Sequence, residues 1–164
     1  MGRFSLPDEK PPGLDKPGTV TFIKAMSKVN TAVFKLTNGR LGAKWRVGEG
    51  FKKPPPILLL EHIGRKSGKT FTAPLVYQVD GPNLIVVASQ GGLPKNPQWY
   101  DNLIANPDTV VHLRKDKNRK VRARVTEGEE RAALWDTMVD LYSDFQKYDK
   151  WTDREIPIVV LEPR

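Results

Sequence analysis

The chain has 164 residues, a length typical of one domain with its own hydrophobic core. It has no cysteine and two histidines, which excludes disulfides, thiolate nucleophiles, iron–sulfur clusters and metal centres rich in cysteine or histidine. The 27 basic and 19 acidic residues give a net charge of +8, and residues 1–53 alone carry 11 basic against 4 acidic residues. This basic segment favours an anionic partner, and composition leaves nucleic acid, an anionic membrane surface and a small molecule open.

The sequence offers no candidate membrane span. Its longest near-continuous apolar run, Ile57–Leu60, is far shorter than the roughly 20 residues that cross a bilayer. The start of the chain also lacks the apolar core of a signal peptide. We therefore expect a cytoplasmic protein, with peripheral contact to the inner face of the membrane as an open alternative.

The N-terminal part of the chain divides into an arm and a helix. Four prolines among charged residues predict a flexible arm over residues 1–18 that adds little to the core, followed by a single domain over residues 19–164. Over Thr19–Thr37 apolar residues recur every three or four positions between lysines, which predicts an amphipathic basic helix. Its apolar stripe either packs on the core, the leading interpretation, or touches a membrane surface.

The rest of the chain alternates short strands with turns. After an irregular loop over Gly39–Pro56, the predicted strands cover Ile57–Ile63, Thr70–Val79, Leu84–Ser89, Thr109–Arg114, Val121–Val125 and Ile156–Pro163. A helix is predicted after the glycine loop, with Asn96 as its cap and Pro97 at its first position, and another over Glu129–Tyr142. Six strands linked mainly by hairpins favour an α+β fold built on a small antiparallel barrel.

The turn Gly64–Thr70 is rich in glycine and positive charge. It is not a Walker loop, because its glycines enclose three residues instead of four and a strand follows instead of a helix. Exposed backbone N–H groups together with Arg65, Lys66 and Ser67 nevertheless make a candidate site for a phosphate or carboxylate. A solvated basic turn is the structural alternative.

Two further segments are candidates for binding a flat ligand. Ser89 ends a strand before Gly91–Gly92, where a planar group can approach the backbone, and the lack of a hydrolase elbow argues against a nucleophilic serine. Trp99 and Tyr100 then provide an aromatic wall at a helix N-terminus, or alternatively belong to the core.

An aromatic series with a spacing of three residues lies near the C-terminus. It consists of Phe145, Tyr148 and Trp151, with Tyr142 three residues earlier. These rings either pack on the core as a helix and turn or wall a pocket for an apolar, planar substrate, with the tyrosine hydroxyls as donors. We expect Arg154 to cap and brace the same turn.

Taken together, these segments resemble one family. The strings GRKSGK, APLVY, VVASQGGLPKNPQWYDNLIANP and YSDFQKYDKWTDREIPIVVLEP are similar to the deazaflavin-dependent nitroreductases of actinobacteria, over about Ile57–Pro163. The resemblance implies a split β-barrel that uses coenzyme F-420, a deazaflavin with a phosphodiester-linked oligoglutamate tail, and no metal.

Carried over residue by residue, the resemblance implies two sets of site residues. For the cofactor, Arg65, Lys66 and Ser67 hold the tail, Pro74 and its neighbours line the groove, and the ring lies between Val87–Gln90 and Gln98–Asn102. The full cofactor set is Arg65, Lys66, Ser67, Phe71, Pro74, Val87, Ala88, Ser89, Gln90, Gln98, Trp99, Tyr100, Asp101 and Asn102. Ser89, Tyr142 and Tyr148 are the catalytic candidates, with Phe145 and Trp151 in the substrate pocket.

Three positions depart from the family's prodrug-activating nitroreductase. Phe145 replaces a tyrosine, Phe71 an arginine and Gln90 a lysine, with Lys69 and Lys95 as nearby cations. We therefore expect the cofactor to be kept and reduction of bicyclic nitroimidazoles to be weak.

The sequence thus predicts an oxidoreductase that transfers a hydride from reduced F-420 to an electron-poor small molecule, such as a quinone, enone or nitroaromatic. The alternatives are an F-420, FMN or haem carrier of the same fold and a basic module that binds a membrane surface. Nucleic acid is disfavoured, because the excess charge lies on an arm and one helix with few interleaved aromatic residues. We expect a monomer or weak dimer.

Overall fold

Six antiparallel strands form a closed barrel in the order β1-β2-β3-β6-β5-β4. The computed structural model describes residues 6–45 and 53–164. The strands are β1 (Ile57–Ile63), β2 (Thr70–Asp80), β3 (Asn83–Val87), β4 (Asp108–His112), β5 (Arg119–Val125) and β6 (Ile158–Pro163). The predicted number of strands and their hairpin connections are confirmed, with bounds that shift by a few residues.

Helices lie before, between and after these strands. They are α1 (Pro17–Leu36), α2 (Gln98–Ala105), α3 (Gly128–Leu141) and α4 (Asp144–Lys150), and a short 3₁₀ turn covers Gln90–Gly92. The predicted α+β class is confirmed. Residues 46–52 of the predicted irregular loop, including Phe51, lie outside the described residues, and the flanking Lys44 and Pro56 form an isolated bridge.

The barrel interior is one hydrophobic cluster. It takes alternate residues from the strands because successive side chains of a strand point to opposite faces. Its buried members are Leu58, Leu60, Leu84, Val86, Ala88, Trp99, Leu103, Val111, Val121, Val159 and Leu161. Trp99 and Leu103 come from α2, so this helix closes one end of the barrel.

A second cluster covers the outer face of β3 and β6. Ile85, Val87, Ile158 and Val160 pack there against α3 and α4, and the helices contribute Met138, Tyr142, Phe145, Tyr148 and Trp151. Both faces of the β3–β6 pair are therefore buried, which explains why both strands are apolar at nearly every position.

The apolar stripe of α1 is mostly open to solvent. Phe34 is buried, but Phe22, Met26 and Val29 are each more than half exposed. Leu36, the last residue of the helix, is also mostly exposed, so the leading expectation that this stripe packs on the core is wrong for most of its length. The helix contacts β2 instead near its C-terminal end, where the ammonium of Lys35 donates to Thr72 Oγ1 at 3.3 Å.

Part of the proline-rich arm packs on α4. Leu6 and Leu14 lie against the second cluster, and the indole N–H of Trp151 donates to the Asp8 carbonyl at 3.2 Å. The ammonium of Lys147 donates to the Leu6 carbonyl. The expectation that the arm adds little to the core is wrong for these residues, because prolines that prevent helix formation do not prevent packing.

Within the described residues, no helix is both long and apolar enough to span a membrane.

Candidate functional site

The loops of interest meet at one edge of the barrel. In antiparallel pairs the end of one strand lies beside the start of the next, so the end of β1, the start of β2 and the end of β3 share this edge. The start of β4, reached from α2, lies there as well because Leu60 pairs with Val111. The edge thus gathers the basic turn, the glycine loop and α2.

The basic turn between β1 and β2 is tightly built. The Gly64 N–H donates to the Lys69 carbonyl and the Gly68 N–H to the Gly64 carbonyl, both at 2.8 Å. A Cβ on Gly64 would lie 2.5 Å from Ser67 Oγ, so only glycine fits without rearrangement. The side chains of Arg65, Lys66 and Ser67 all remain exposed. This donor set, two cations and a hydroxyl on a fixed turn, suits an anionic ligand.

A buried asparagine connects this turn to α2. The Asn102 Oδ1 accepts hydrogen bonds from the Arg65 backbone N–H at 3.1 Å and from its guanidinium Nη1 at 3.3 Å. Asn102 Nδ2 lies 2.8 Å from His62 Nδ1. Because the amide oxygen already faces Arg65, the amide nitrogen donates and His62 Nδ1 is the unprotonated acceptor. Asn102 therefore holds both the backbone and the guanidinium of Arg65 in place.

His62 is a site residue that the sequence did not reveal. Its ring is 5% exposed and stacks on Phe71 with a centroid distance of 5.6 Å. Burial lowers the pKa of His62 from its ordinary 6.5 to about 4, so the ring is neutral at pH 7 and stays an acceptor for Asn102. A lone histidine in an apolar strand gives no sequence signal for this role, because its partner lies 40 residues away.

The predicted cofactor set separates into buried and accessible residues. Five of its residues are buried, namely Val87, Ala88, Ser89, Trp99 and Asn102. Ala88 and Trp99 belong to the barrel interior, while Val87 faces the second cluster. Trp99 is thus a core residue, as its structural alternative predicted. The side chains of Gln90, Gln98, Tyr100 and Asp101 reach the surface.

The glycine loop has an unusual backbone. Gln90, Gly91 and Gly92 have φ values of 45°, 62° and 76°, three consecutive left-handed residues. Four hydrogen bonds connect the Arg154 guanidinium to this loop, with acceptors Ala88 O, Ser89 O, Leu93 O and Asn96 Oδ1. The expectation that the Arg154 side chain braces its own turn is therefore wrong.

Asn96 does not cap α2. The helix begins at Gln98 after Pro97, and the Asn96 side chain accepts a hydrogen bond from Arg154 at 2.8 Å instead. Local capping preferences missed this arrangement because the competing donor is 58 residues away in the chain.

The C-terminal aromatic residues form one buried group. Tyr142, Phe145, Tyr148 and Trp151 are all less than 9% exposed, and Tyr148 lies edge-on to Trp151 with a centroid distance of 5.4 Å. The hydroxyls of Tyr142 and Tyr148 are 3.2 Å apart. Burial raises the pKa of Tyr148 to about 12 and that of Tyr142 further, so both phenols are protonated at neutral pH. The expected core packing is present, with two hydroxyls inside it.

Comparison with known proteins identifies the family. A family profile described as F420H(2)-dependent quinone reductase matches residues 26–163. Rv3178 of Mycobacterium tuberculosis, which its name assigns provisionally to this activity, is 55% identical over 119 residues, covering 73% of this chain and 99% of the relative. Rv1261c of the same species, named an F420H(2)-dependent quinone reductase, is 34% identical over 140 residues, covering 84% of this chain and 89% of the relative.

This chain belongs to the F420H(2)-dependent quinone reductase family. The resemblance to F-420 enzymes inferred from the motifs is thereby confirmed. A solved structure titled F420-H2 dependent reductase (FDR-A) is 39% identical with a TM-score of 0.57, covering 65% of this chain and 94% of its own. A second, described as a domain-swapped dimer, is also 39% identical with a TM-score of 0.58, covering 65% of this chain and 80% of its own.

More distant barrels share only the fold. The haem storage protein HutZ of Vibrio cholerae is 13% identical with a TM-score of 0.51, covering 66% of this chain and 81% of its own. Such a likeness shows the barrel fold alone.

The buried His62 makes stability depend on pH. Because its pKa is about 4 in the folded protein and 6.5 when unperturbed, the unfolded chain takes up the proton first as pH falls. The free energy of unfolding is therefore not reduced by His62 above pH 6.5. It falls between pH 6.5 and 4, by about 3 kcal/mol in total. Urea unfolding at pH 7, 5.5 and 4 should show this loss in the wild type and its absence in His62→Gln.

His112→Gln provides the matched control, because it removes the other histidine and leaves the His62–Asn102 pair in place. The loss of stability that is assigned to His62 should persist in this variant. Equal pH dependence in His62→Gln and wild type would contradict the assignment of His62 as a buried neutral acceptor.

Proposed function

We propose that this protein is an oxidoreductase that uses reduced coenzyme F-420 to reduce a quinone-type acceptor. The observation that carries the proposal is the fixed basic turn Arg65–Ser67 at the same barrel edge as the glycine loop, in a chain of the F420H(2)-dependent quinone reductase family. When bound, the reduced deazaflavin supplies a hydride from its C5 position. The protein residues supply binding, orientation and hydrogen-bond donors.

The basic turn is the proposed site for the acidic tail. Arg65 is oriented by Asn102, and its Nη2 lies 3.7 Å from Asp101, which partly offsets its charge. The neighbouring Lys66 and Lys69 are exposed and add positive charge to the same turn. A tail with several negative charges uses this cluster more fully than FMN, which carries a single phosphate. We therefore favour F-420 over FMN.

The accessible residues around the glycine loop are the proposed site for the ring. The loop leaves space, since no heavy atom lies within 4 Å of where a Cβ of Gly91 would be. Gln90 and Gly91 are accessible on one side, and Gln98, Tyr100 and Asp101 on the other. In this proposal Val87, Ala88 and Trp99 act by shaping the backbone beneath the ring, because their side chains are buried. Phe71 and Pro74 on β2 are proposed to line the cofactor groove as well.

The acceptor is proposed to meet hydroxyl donors of the second cluster. Ser89 lies two residues after β3 and directly before the Gln90–Gly92 turn, and this loop packs on α4, which carries Tyr148. Hydride transfer to a quinone leaves negative charge on oxygen, which a protonated hydroxyl stabilises. Both phenols are protonated at neutral pH, and because one hydroxyl donates to the other, the pair keeps one O–H for the acceptor. Phe145 and Trp151 supply the apolar wall.

A peripheral membrane contact through α1 is a second proposal. Phe22, Met26 and Val29 lie at positions i, i+4 and i+7 and are each more than half exposed, beside exposed Lys24 and Lys28. This pairing of an apolar row with positive charge suits the surface of an anionic bilayer, where quinones of low solubility reside. The basic balance of residues 1–53 points the same way.

Lys66→Gln should weaken F-420 binding by about fivefold at low salt. The reason is that removing one exposed charge that faces an anion reduces the binding free energy by about 1 kcal/mol. Lys150→Gln, an exposed lysine on α4, is the control and should change nothing. The measurement is equilibrium titration of each protein with F-420 and with FMN at two salt concentrations. Absence of saturable F-420 binding by the wild type would overturn the proposed function.

Tyr142→Phe and Tyr148→Phe should each lower kcat/KM for a soluble menaquinone analogue by at least about tenfold, because each removes either the proposed donor or the hydroxyl that orients it. F-420 affinity should stay within about twofold. Tyr77→Phe on β2 removes a phenol that packs with the barrel interior and serves as the control. Unchanged kcat/KM in both variants for quinone, enone and nitroaromatic acceptors would show that the tyrosines are not donors.

Sedimentation with anionic vesicles tests the α1 proposal. The triple variant Phe22→Ser, Met26→Ser, Val29→Ser should lose most binding, because it removes the apolar row and leaves every lysine in place. Val79→Ser, which changes an exposed valine on β2, should bind as the wild type does. Equal pelleting of the triple variant and wild type, or equal wild-type binding to neutral vesicles, would contradict the proposal.

A further inference from the structure

The Arg154 guanidinium donates hydrogen bonds to four acceptors in one short loop. Its Nε donates to the Leu93 carbonyl at 3.0 Å, Nη1 to the Ala88 carbonyl at 3.2 Å and to Asn96 Oδ1 at 2.8 Å, and Nη2 to the Ser89 carbonyl at 2.8 Å. Four of its five N–H groups are therefore directed at residues 88–96. No other side chain in the described part of the chain makes as many hydrogen bonds to this loop.

The loop needs such a support. Three consecutive left-handed residues include Gln90, for which this conformation is unfavourable by about 1 kcal/mol or more. The loop's own backbone bonds are the Gly92 N–H to the Ser89 carbonyl at 2.9 Å and the Leu93 N–H to the Gln90 carbonyl at 3.3 Å. Three carbonyl oxygens converge on one point, and a cation there offsets their mutual repulsion.

The loop also packs closely against α4 at Gly92. A Cβ on Gly92 would lie 2.9 Å from the Tyr148 carbonyl oxygen and 3.1 Å from the Trp151 Cβ, so the two backbones touch closely. Arg154 follows Trp151 by three residues and anchors the other side of the loop. The loop, which contains Ser89, and α4, which carries Tyr148, are thus held as one unit.

We propose that Arg154 is a positioning residue that sets the separation between the ring side of the site and the tyrosine pair. The inference rests on the proposed function, because it concerns the same site. Arg154 acts through the loop and does not itself meet the acceptor. Reaction rates are sensitive to such placement, with a shift of about 1 Å lowering them by as much as 100-fold. Tail binding at Arg65–Ser67 is separate from this contact.

The test compares Arg154→Met with Arg131→Met. Arg131 is a suitable control because it also donates to a backbone carbonyl, that of Ile156 at 2.7 Å, and is also half-buried, but bonds no residue of the loop. Three quantities are measured for both: amide hydrogen exchange of Gly92 and Leu93 in the protein without cofactor, the Kd for F-420, and kcat at saturating reduced F-420.

For Arg154→Met we expect amide exchange at least tenfold faster, kcat about 10- to 100-fold lower, and a Kd within about threefold of the wild type. Arg131→Met should match the wild type in all three. Arg154→Lys, which keeps the charge but cannot span four acceptors, should fall between them and serves if Arg154→Met does not fold.

Two results would overturn the proposal. Unchanged exchange at Gly92 and Leu93 would show that Arg154 does not hold the loop, whatever the activity. Faster exchange with unchanged kcat would show that the loop position does not govern the reaction. Failure of the wild type to bind F-420 would instead overturn the proposed function, and the exchange measurement distinguishes this case because it needs no cofactor.

Discussion

The pairing of β3 with β6 is the constraint on which the rest of the structure depends. Its inner face supplies Leu84, Val86, Val159 and Leu161 to the barrel interior, while its outer face forms the floor for α3 and α4. Because both faces of this strand pair are apolar, each face must be covered by another part of the protein. Closing the barrel on one side and docking the C-terminal helices on the other are thus two consequences of one strand pair.

Two loops at the same barrel edge have backbone atoms that are held by distant side chains. Asn102 holds the backbone of Arg65, and Arg154 holds the carbonyls of Ala88, Ser89 and Leu93. Loops rich in glycine cannot hold a single shape by themselves, because their backbones have many accessible conformations. Planar amide and guanidinium groups with several hydrogen-bond positions are well suited to this task.

The sequence predicted the architecture well because its signals are local. Asp80-Gly81 marks a hairpin turn and the apolar runs around it mark strands, and neither needs a distant partner to be recognised. The apolar stripe of α1 was misassigned because a helical period shows that a face is apolar, not that another element covers it.

Roles that depend on contacts between distant segments could not be predicted from the sequence. His62, Asn96 and Arg154 have partners 40 to 66 residues away, so each was missed or given a local role. The resemblance predicted a set of site residues, and the structure added that some of them, such as Trp99, are buried in the barrel interior.

The two-sided burial of β3 has a consequence for how such a protein can diversify. Neighbouring residues Val86 and Val87 belong to different clusters, so one short strand meets packing constraints from both sides. A change of side-chain volume at either position acts on a backbone that both clusters share. Substitutions along this strand are therefore expected to conserve side-chain volume, and sequence variation is expected to collect in parts of the chain with one packed face.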